Sequence, residues 1–411
     1  TTGDDNVAIG HSALKTEDGN GRNTAVGFEA LLTLNAGADG ENVAVGYRAG
    51  KALTEGVQNT LIGVQAGDAL THADYNVAVG RNALSGDTQG HKSTAVGVSA
   101  LNDQNFTSGT NSHNTAVGYE AGKSITTGRL NTCVGSNSGD AITDGSNNIA
   151  VGNGALGANT RGTKIVSVGN GAGRNFNQTA STADTNNVFV GHNAAENATT
   201  GGNNVVIGGD ASAMSSAMHA GADLTTGTNN VFIGRGATGS TASCDAQVVL
   251  GFEAAGASNS SLTFGKAATD STISFGGTSI SAPSDERYKE NIETSTAGLG
   301  FINDLRPVTF RWKKAKDIPS DHGAYVEEGT DGAEDRVMGA GDELHHGFIA
   351  QEVKTAIDDH PEVVNYKELW TEQGGSGGRQ RVGPAALIPM LVKAIQELSA
   401  KNDALETRIA S

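Results

Sequence analysis

The stretch NTAVG at residues 23–27 is one of fifteen near-copies of a pentad that precede residue 266. It appears as NVAIG at 6–10, NTLIG at 59–63, NVFVG at 187–191 and SLTFG at 261–265. The closing glycines run from Gly10 to Gly265, and nine of the fourteen intervals between them are 17 residues long. A strict short period with insertions confined to a few gaps is the signature of a solenoid. The pentad itself reads as a strand. Its fourth position is always Val, Ile, Leu or Phe, and its second is almost always Val, Thr or Ile. Strand side chains alternate, so these two positions share a face, which is expected to point into the coil. The third position, mostly Ala and later Phe189, Val206, Phe232 and Val249, is then expected to face outward, towards a partner subunit. Asn at the pentad start and Gly at its end are assigned to turn chemistry. Downstream of each glycine a second motif recurs, as in GHSAL and GFEAL, and reads as the other wall of the coil. No proline precedes Pro283, as befits a ladder that uses nearly every backbone N–H. Fifteen coils at ~4.8 Å each would make a rod roughly 70 Å long.

Composition changes abruptly near residue 283. Residues 1–283 hold 45 of the 58 glycines, whereas residues 284–411 hold both tryptophans and five of the six prolines. The first part carries 13 basic and 22 acidic residues, a net charge of −9; the second carries 15 and 23, a net of −8. Acidity spread this evenly argues against nucleic acid or an anionic membrane as the main partner. Cys133 and Cys244 are too few and too far apart for a disulfide framework and read as small buried residues. No run approaches the ~18 apolar residues of a membrane span. No secretory signal follows Thr1, and the lack of an initiator Met suits a fragment. His345 and His346 are adjacent, a poor spacing for one metal, and neither a metal nor a cofactor is expected. The glycine-rich run at 374–378 lacks the G-K-[ST] of a phosphate cradle.

The alternating pentads resemble the left-handed β-roll heads of trimeric adhesins of the YadA type, over residues 1–265. That resemblance implies a mainly β fold, a left-handed β-roll of period 17 forming a trimeric shaft. Calcium-binding rolls carry G-G-x-G-x-D nonapeptides, absent from this chain, and ice-binding solenoids need arrays of paired threonines. The simplest role for such a rod is structural. The three longest expansions, at 98–113, 170–186 and 209–229, are where a ligand would be sought, because insertions in a solenoid project as loops. No paired-carboxylate motif for glycan cleavage stands out.

Residues 266–283 lose the register and read as a bridging β stalk. There follow SDERYKENI at 284–292, GLGFINDLRPVTFRWK at 298–313, HGFIAQEVK at 346–354 and LIPMLVKAIQELSAKNDALETRI at 387–409. Together these blocks resemble the intramolecular chaperone domain that ends phage tail spikes and fibres of the endosialidase type. The resemblance implies an α+β domain over 284–411 with a long terminal helix. It also implies a domain that drives homotrimer assembly and then releases itself by cleavage between Pro283 and Ser284. Ser284 would be the nucleophile and Lys289 the base, with Asp285 and Arg287 as supporting motif residues that order the loop. Pro283 restricts the backbone beside the scissile carbonyl. A lysine serves as base only when neutral, which takes desolvation. Five residues apart, Ser284 and Lys289 share neither a helix face nor a strand face, so folding and an adjacent subunit would have to bring them together. In the terminal segment Leu391, Ile395, Leu398, Asn402, Leu405 and Ile409 follow a 4, 3, 4, 3, 4 spacing, that of a coiled-coil seam with Asn402 setting register. An amphipathic helix packed on its own domain is the alternative.

The expected whole is a phage tail fibre or spike, assembled in the host cytoplasm and carried on the virion tail. Its partners would be two further copies of itself, the rest of the tail, and a host surface glycan or receptor. The rivals are a non-viral trimeric adhesin and a fibre whose shaft degrades glycan.

Overall fold

The computed structural model describes residues 4–410 apart from 20, 38, 180–183, 210–218, 278–279, 281–283, 285, 321–323, 338–342, 364–367 and 374–378. The chain divides into two compact units, Thr1–Ser284 and Asp285–Ser411.

The first unit is a β-solenoid. Each pentad contributes one rung to a sheet of sixteen strands, from Val7–Ile9 to Ser271–Ser274. Fifteen rungs are parallel and pair position for position, as in Val7↔Thr24, Ala8↔Ala25 and Ile9↔Val26. The last strand, Ser271–Ser274, turns back antiparallel onto Ser261–Lys266. Most rungs are three residues long, and the ladder lengthens to six only at Gln247–Phe252 and Ser261–Lys266. Gly90–His91 and, within the first expansion, Thr110–Asn111 form a separate short parallel pair.

The facing of the rungs is the reverse of the expectation. The third position points inward: Ala25, Ala44, Leu61, Ala78, Ala95, Ala116, Cys133 and Ala150 are all fully buried. The second and fourth positions lie outside, intermediate or exposed in every rung. Alternation was correctly legible, but its phase was not, because the β-branched positions look like the core and the alanines do not. The coil is narrow. Only a small residue fits at the third position where the opposite wall supplies leucines such as Leu31, Leu84 and Leu101. Later the bulk changes sides, and Phe189, Val206 and Phe232 fill the same core. Opposite them the second wall shrinks to glycine: a Cβ on Gly173 would lie 2.6 Å from the Phe189 ring, and one on Gly221 3.0 Å from Val206. The appearance of Phe at the third position is therefore conservation of core volume, not an outward surface.

The asparagines also differ from their assignment. Asn59, Asn76, Asn131 and Asn148 are fully buried. Each side chain spans two coils. The amide of Asn148 donates to Oδ1 of Asn131 at 3.0 Å, and Nδ2 of Asn131 donates to the Gly145 carbonyl at 2.9 Å. Turn conformation falls instead on the residue before the pentad, as at Gln58 (φ 56°) and Leu130 (φ 59°), and on the closing glycine. At Gly118 φ is 142°, and a Cβ there would meet the Gly135 carbonyl oxygen at 2.5 Å. The second wall is not a strand. It alternates left-handed residues, such as Glu29 and Leu31, and bonds from coil to coil, as in Leu31 N to Ala49 O at 3.0 Å.

The second unit is α+β. Helix α1 (Leu299–Asp304), helix α2 (Ala350–Asp359) and helix α3 (Leu387–Ala410) accompany two small antiparallel pairs. Phe301, Leu305, Val353, Ile357, Leu369 and Leu387 form its core. No described helix is long and apolar enough to cross a membrane.

Candidate functional site

Pro283 and Asp285 lie outside the described residues. Ser284 is exposed. After it, Glu286–Tyr288 form one 3-10 turn, closed by the Lys289 amide donating to the Glu286 carbonyl at 3.0 Å. Arg287 and Lys289 are exposed too. Ser284 and Lys289 belong to different units, and in the single chain neither is withdrawn from water. The desolvation that a lysine base requires is thus not supplied by either unit's own fold.

The motif blocks of the second unit do meet. The block holding Leu305, Pro307, Phe310 and Trp312 contributes strand Val308–Phe310, which pairs antiparallel with His345–Gly347 at the start of the GFIAQE block. β-Branched and aromatic residues suit the first of these strands, and Pro307 stands just before it, where its missing N–H is harmless. Arg306 clamps the same two blocks, its guanidinium reaching both carboxylate oxygens of Glu352, with Nε at 2.9 Å from Oε2. The bidentate pair raises the Arg306 pKa and lowers that of Glu352. Phe310 stacks on His345 at 5.6 Å and meets Trp312 edge-on at 5.1 Å, which gives His345 a packing role. Among the described residues no group of three or more His, Cys, Asp or Glu side chains is placed to hold a metal.

Two contacts had no signal in the sequence because their partners are distant along it. Glu397 of α3 accepts from the Leu299 amide at 2.9 Å and so caps the start of α1, 98 residues earlier. His360, just past α2, lies 2.7 Å from both Asp304 of α1 and Glu362. Those two carboxylates, Asp304 foremost, raise its pKa above the ordinary imidazole value. The seam of α3 is open: Leu391, Ile395, Leu398, Leu405 and Ile409 are 43–77% exposed. Asn402 Nδ2 donates to Glu406 within the same helix at 3.1 Å.

No curated protein and no solved structure matches the chain. One family model does, that of the chaperone of endosialidase; it covers residues 284–365, beginning at Ser284 and ending before the hairpin of Trp370–Gln373 with Arg379–Val382 and before α3.

Proposed function

We propose that the chain is a trimeric fibre or spike protein whose C-terminal part guides assembly and then detaches by one intramolecular cut at Pro283–Ser284. One observation carries this: the match to the chaperone of endosialidase starts at Ser284, the first residue of the part that would leave.

The chemistry follows from covalent position. Ser284 is the nucleophile on the departing side of its own scissile bond. Its Oγ attacks the Pro283 carbonyl carbon, and its proton passes to the neutral Lys289 amine. Collapse of the tetrahedral adduct breaks the Pro283–Ser284 C–N bond, and Lys289 returns the proton to the leaving amine. An ester then joins the Pro283 acyl group to the Ser284 oxygen. Water hydrolyses it, releasing the Pro283 carboxylate and restoring the hydroxyl. Asp285 and Arg287 order the turn. The exposure of Lys289 in the single chain supports a reaction that waits for assembly, when neighbouring copies exclude water. The shaft is a spacer that presents or binds a host surface, on a virion tail.

Intact mass of the denatured protein tests the reading. The wild type should give two fragments broken at Pro283–Ser284, Ser284→Ala one full-length chain, and hydroxylamine should trap the ester as a Pro283 hydroxamate. A single uncut chain in wild type and variant alike would remove the peptidase role and leave an assembly chaperone.

A further inference from the structure

Away from the rungs, each coil turns a corner at the end of its second wall. A cleft of about 740 Å³ lies along this corner, a volume within the ~300–1,000 Å³ of small-molecule sites. Four successive coils line it: Asn175 from the first, Asn197 and Thr199 from the second, Asp223 and Thr225 from the third, and Thr241 from the fourth. Two of the three long expansions, 170–186 and 209–229, thus supply Asn175, Asp223 and Thr225 to one place. The corner also changes chemistry where the cleft begins. Ala52, Ala69, Ala141 and Ala158 stand six residues after the closing glycine in earlier coils, whereas Asn175, Asn197 and Ser240 hold that position in the cleft.

The lining offers more acceptors than donors. The hydroxyls of Thr199 and Thr225 donate to the carbonyls of Thr225 and Ala242, both at 3.2 Å, and Nδ2 of Asn197 donates to the Ala222 carbonyl at 2.9 Å. Those bonds fix the side chains and leave their oxygen lone pairs as acceptors. Asn175 and Asp223 are exposed, and among the described residues nothing bonds to either side chain. Asp223 adds acceptor oxygens, and Asn175 brings amide donors. Such a set suits a ligand rich in O–H groups. Among the described residues no Lys, Arg or aromatic side chain lines the cleft. With Asp223 unpaired and residues 1–283 at a net −9, a phosphate, sulfate or carboxylate is repelled. Without an aromatic platform, binding rests on hydrogen bonds repeated from coil to coil. Coils recur at ~4.8 Å, so the lining runs about 14 Å from the first coil to the fourth. That length takes a short run of sugar units, each met by the same kinds of group, with Ala222 and Ala242 against their C–H edges.

We propose that this cleft binds an uncharged saccharide chain, whose hydroxyls donate to Asn197, Thr199, Asp223 and Thr225 and accept from the Asn175 amide. The proposal rests on the reading of the shaft as the part that meets a host surface, and adds the site and the chemistry of its ligand. Frontal affinity chromatography on immobilised full-length protein tests it. The probes are neutral tetrasaccharides of glucose, galactose, mannose and N-acetylglucosamine, with sialylated and sulfated tetrasaccharides beside them. At least one neutral probe should be retarded and the anionic ones should not. Asn175→Ala and Asp223→Ala should each weaken that retention about three- to tenfold, the worth of one hydrogen bond. Their melting should be unchanged, because neither side chain is bonded within the described fold. Ser124→Ala, at the same corner position but outside the cleft, should leave retention as it was. Retention that both cleft variants keep in full would overturn the cleft while leaving a glycan-binding shaft. Retention of anionic probes alone would overturn the assigned chemistry. No retention of any probe would overturn the saccharide site; the fibre reading is judged separately, by the fragment masses at Pro283–Ser284.

Discussion

At the scale of single residues the shaft depends on polar atoms in its interior. Asn131 accepts from the amide of the next coil and donates to a carbonyl of that coil, inside a fully buried column. Asn131→Ala removes both bonds and leaves the Asn148 amide and the Gly145 carbonyl without those partners, so a loss of roughly 2–4 kcal/mol is expected. Denaturant unfolding would measure it, and amide exchange should show the loss concentrated in the flanking coils, since each coil touches only its neighbours. A change below about 0.5 kcal/mol would mean that the column is dispensable. Cys133 occupies the third position of the same region, and burial pushes its thiol up to about 12. A thiol so placed is a small apolar filler.

At the scale of elements, His360 holds the end of α2 to the end of α1. Its pKa is raised, so the stability it contributes is fully present below the ordinary value of 6.5 and is lost as pH climbs through the higher folded value. The protonated ring donates to Asp304 and Glu362 together. The neutral ring has one donor left, and one carboxylate then faces a lone pair. The unfolding midpoint of the second unit should therefore fall as pH rises above the ordinary imidazole value of 6.5 and through the higher folded value. In His360→Gln that dependence should flatten. A thermal scan in which wild type and variant shared the same pH slope would rule the clamp out. The Arg306–Glu352 pair is exposed and screened by solvent, and is expected to matter less. Its value is in orienting the strand pair that joins the two motif blocks.

At the scale of the whole molecule, assembly and cleavage are expected to be coupled. Lys289 is exposed in the single chain, so under the proposed reading it acts as a base only once other copies exclude water. The first-order rate of appearance of the released fragment should then fall on an about hundredfold dilution that dissociates the assembly. A rate indifferent to concentration would place the base in a site that one chain completes alone. If the guiding part is released as proposed, a dissociated shaft would lack what aligned it, and the assembled state would be held kinetically.

By itself the sequence determined the solenoid, because a 17-residue period of strand-forming pentads leaves stacked coils as the arrangement that satisfies both the backbone and the spacing. It also carried Ser284, Lys289 and the motif blocks as a pattern, since these lie close together or in fixed order along the chain. Tertiary structure alone decided which face of each rung is inside. Alternation has two phases of equal period, and hydrophobicity favoured the wrong one, because a coil this narrow admits Ala and a bonded Asn but not two β-branched side chains. The exchange of Leu31-type for Phe189-type bulk between the walls was illegible for the same reason: it is a balance of volume across the core, not a property of either segment. His360 with Asp304, and Glu397 with the start of α1, join residues 56 and 98 apart. No local spacing encodes such pairs; only the folded path of the chain brings them together.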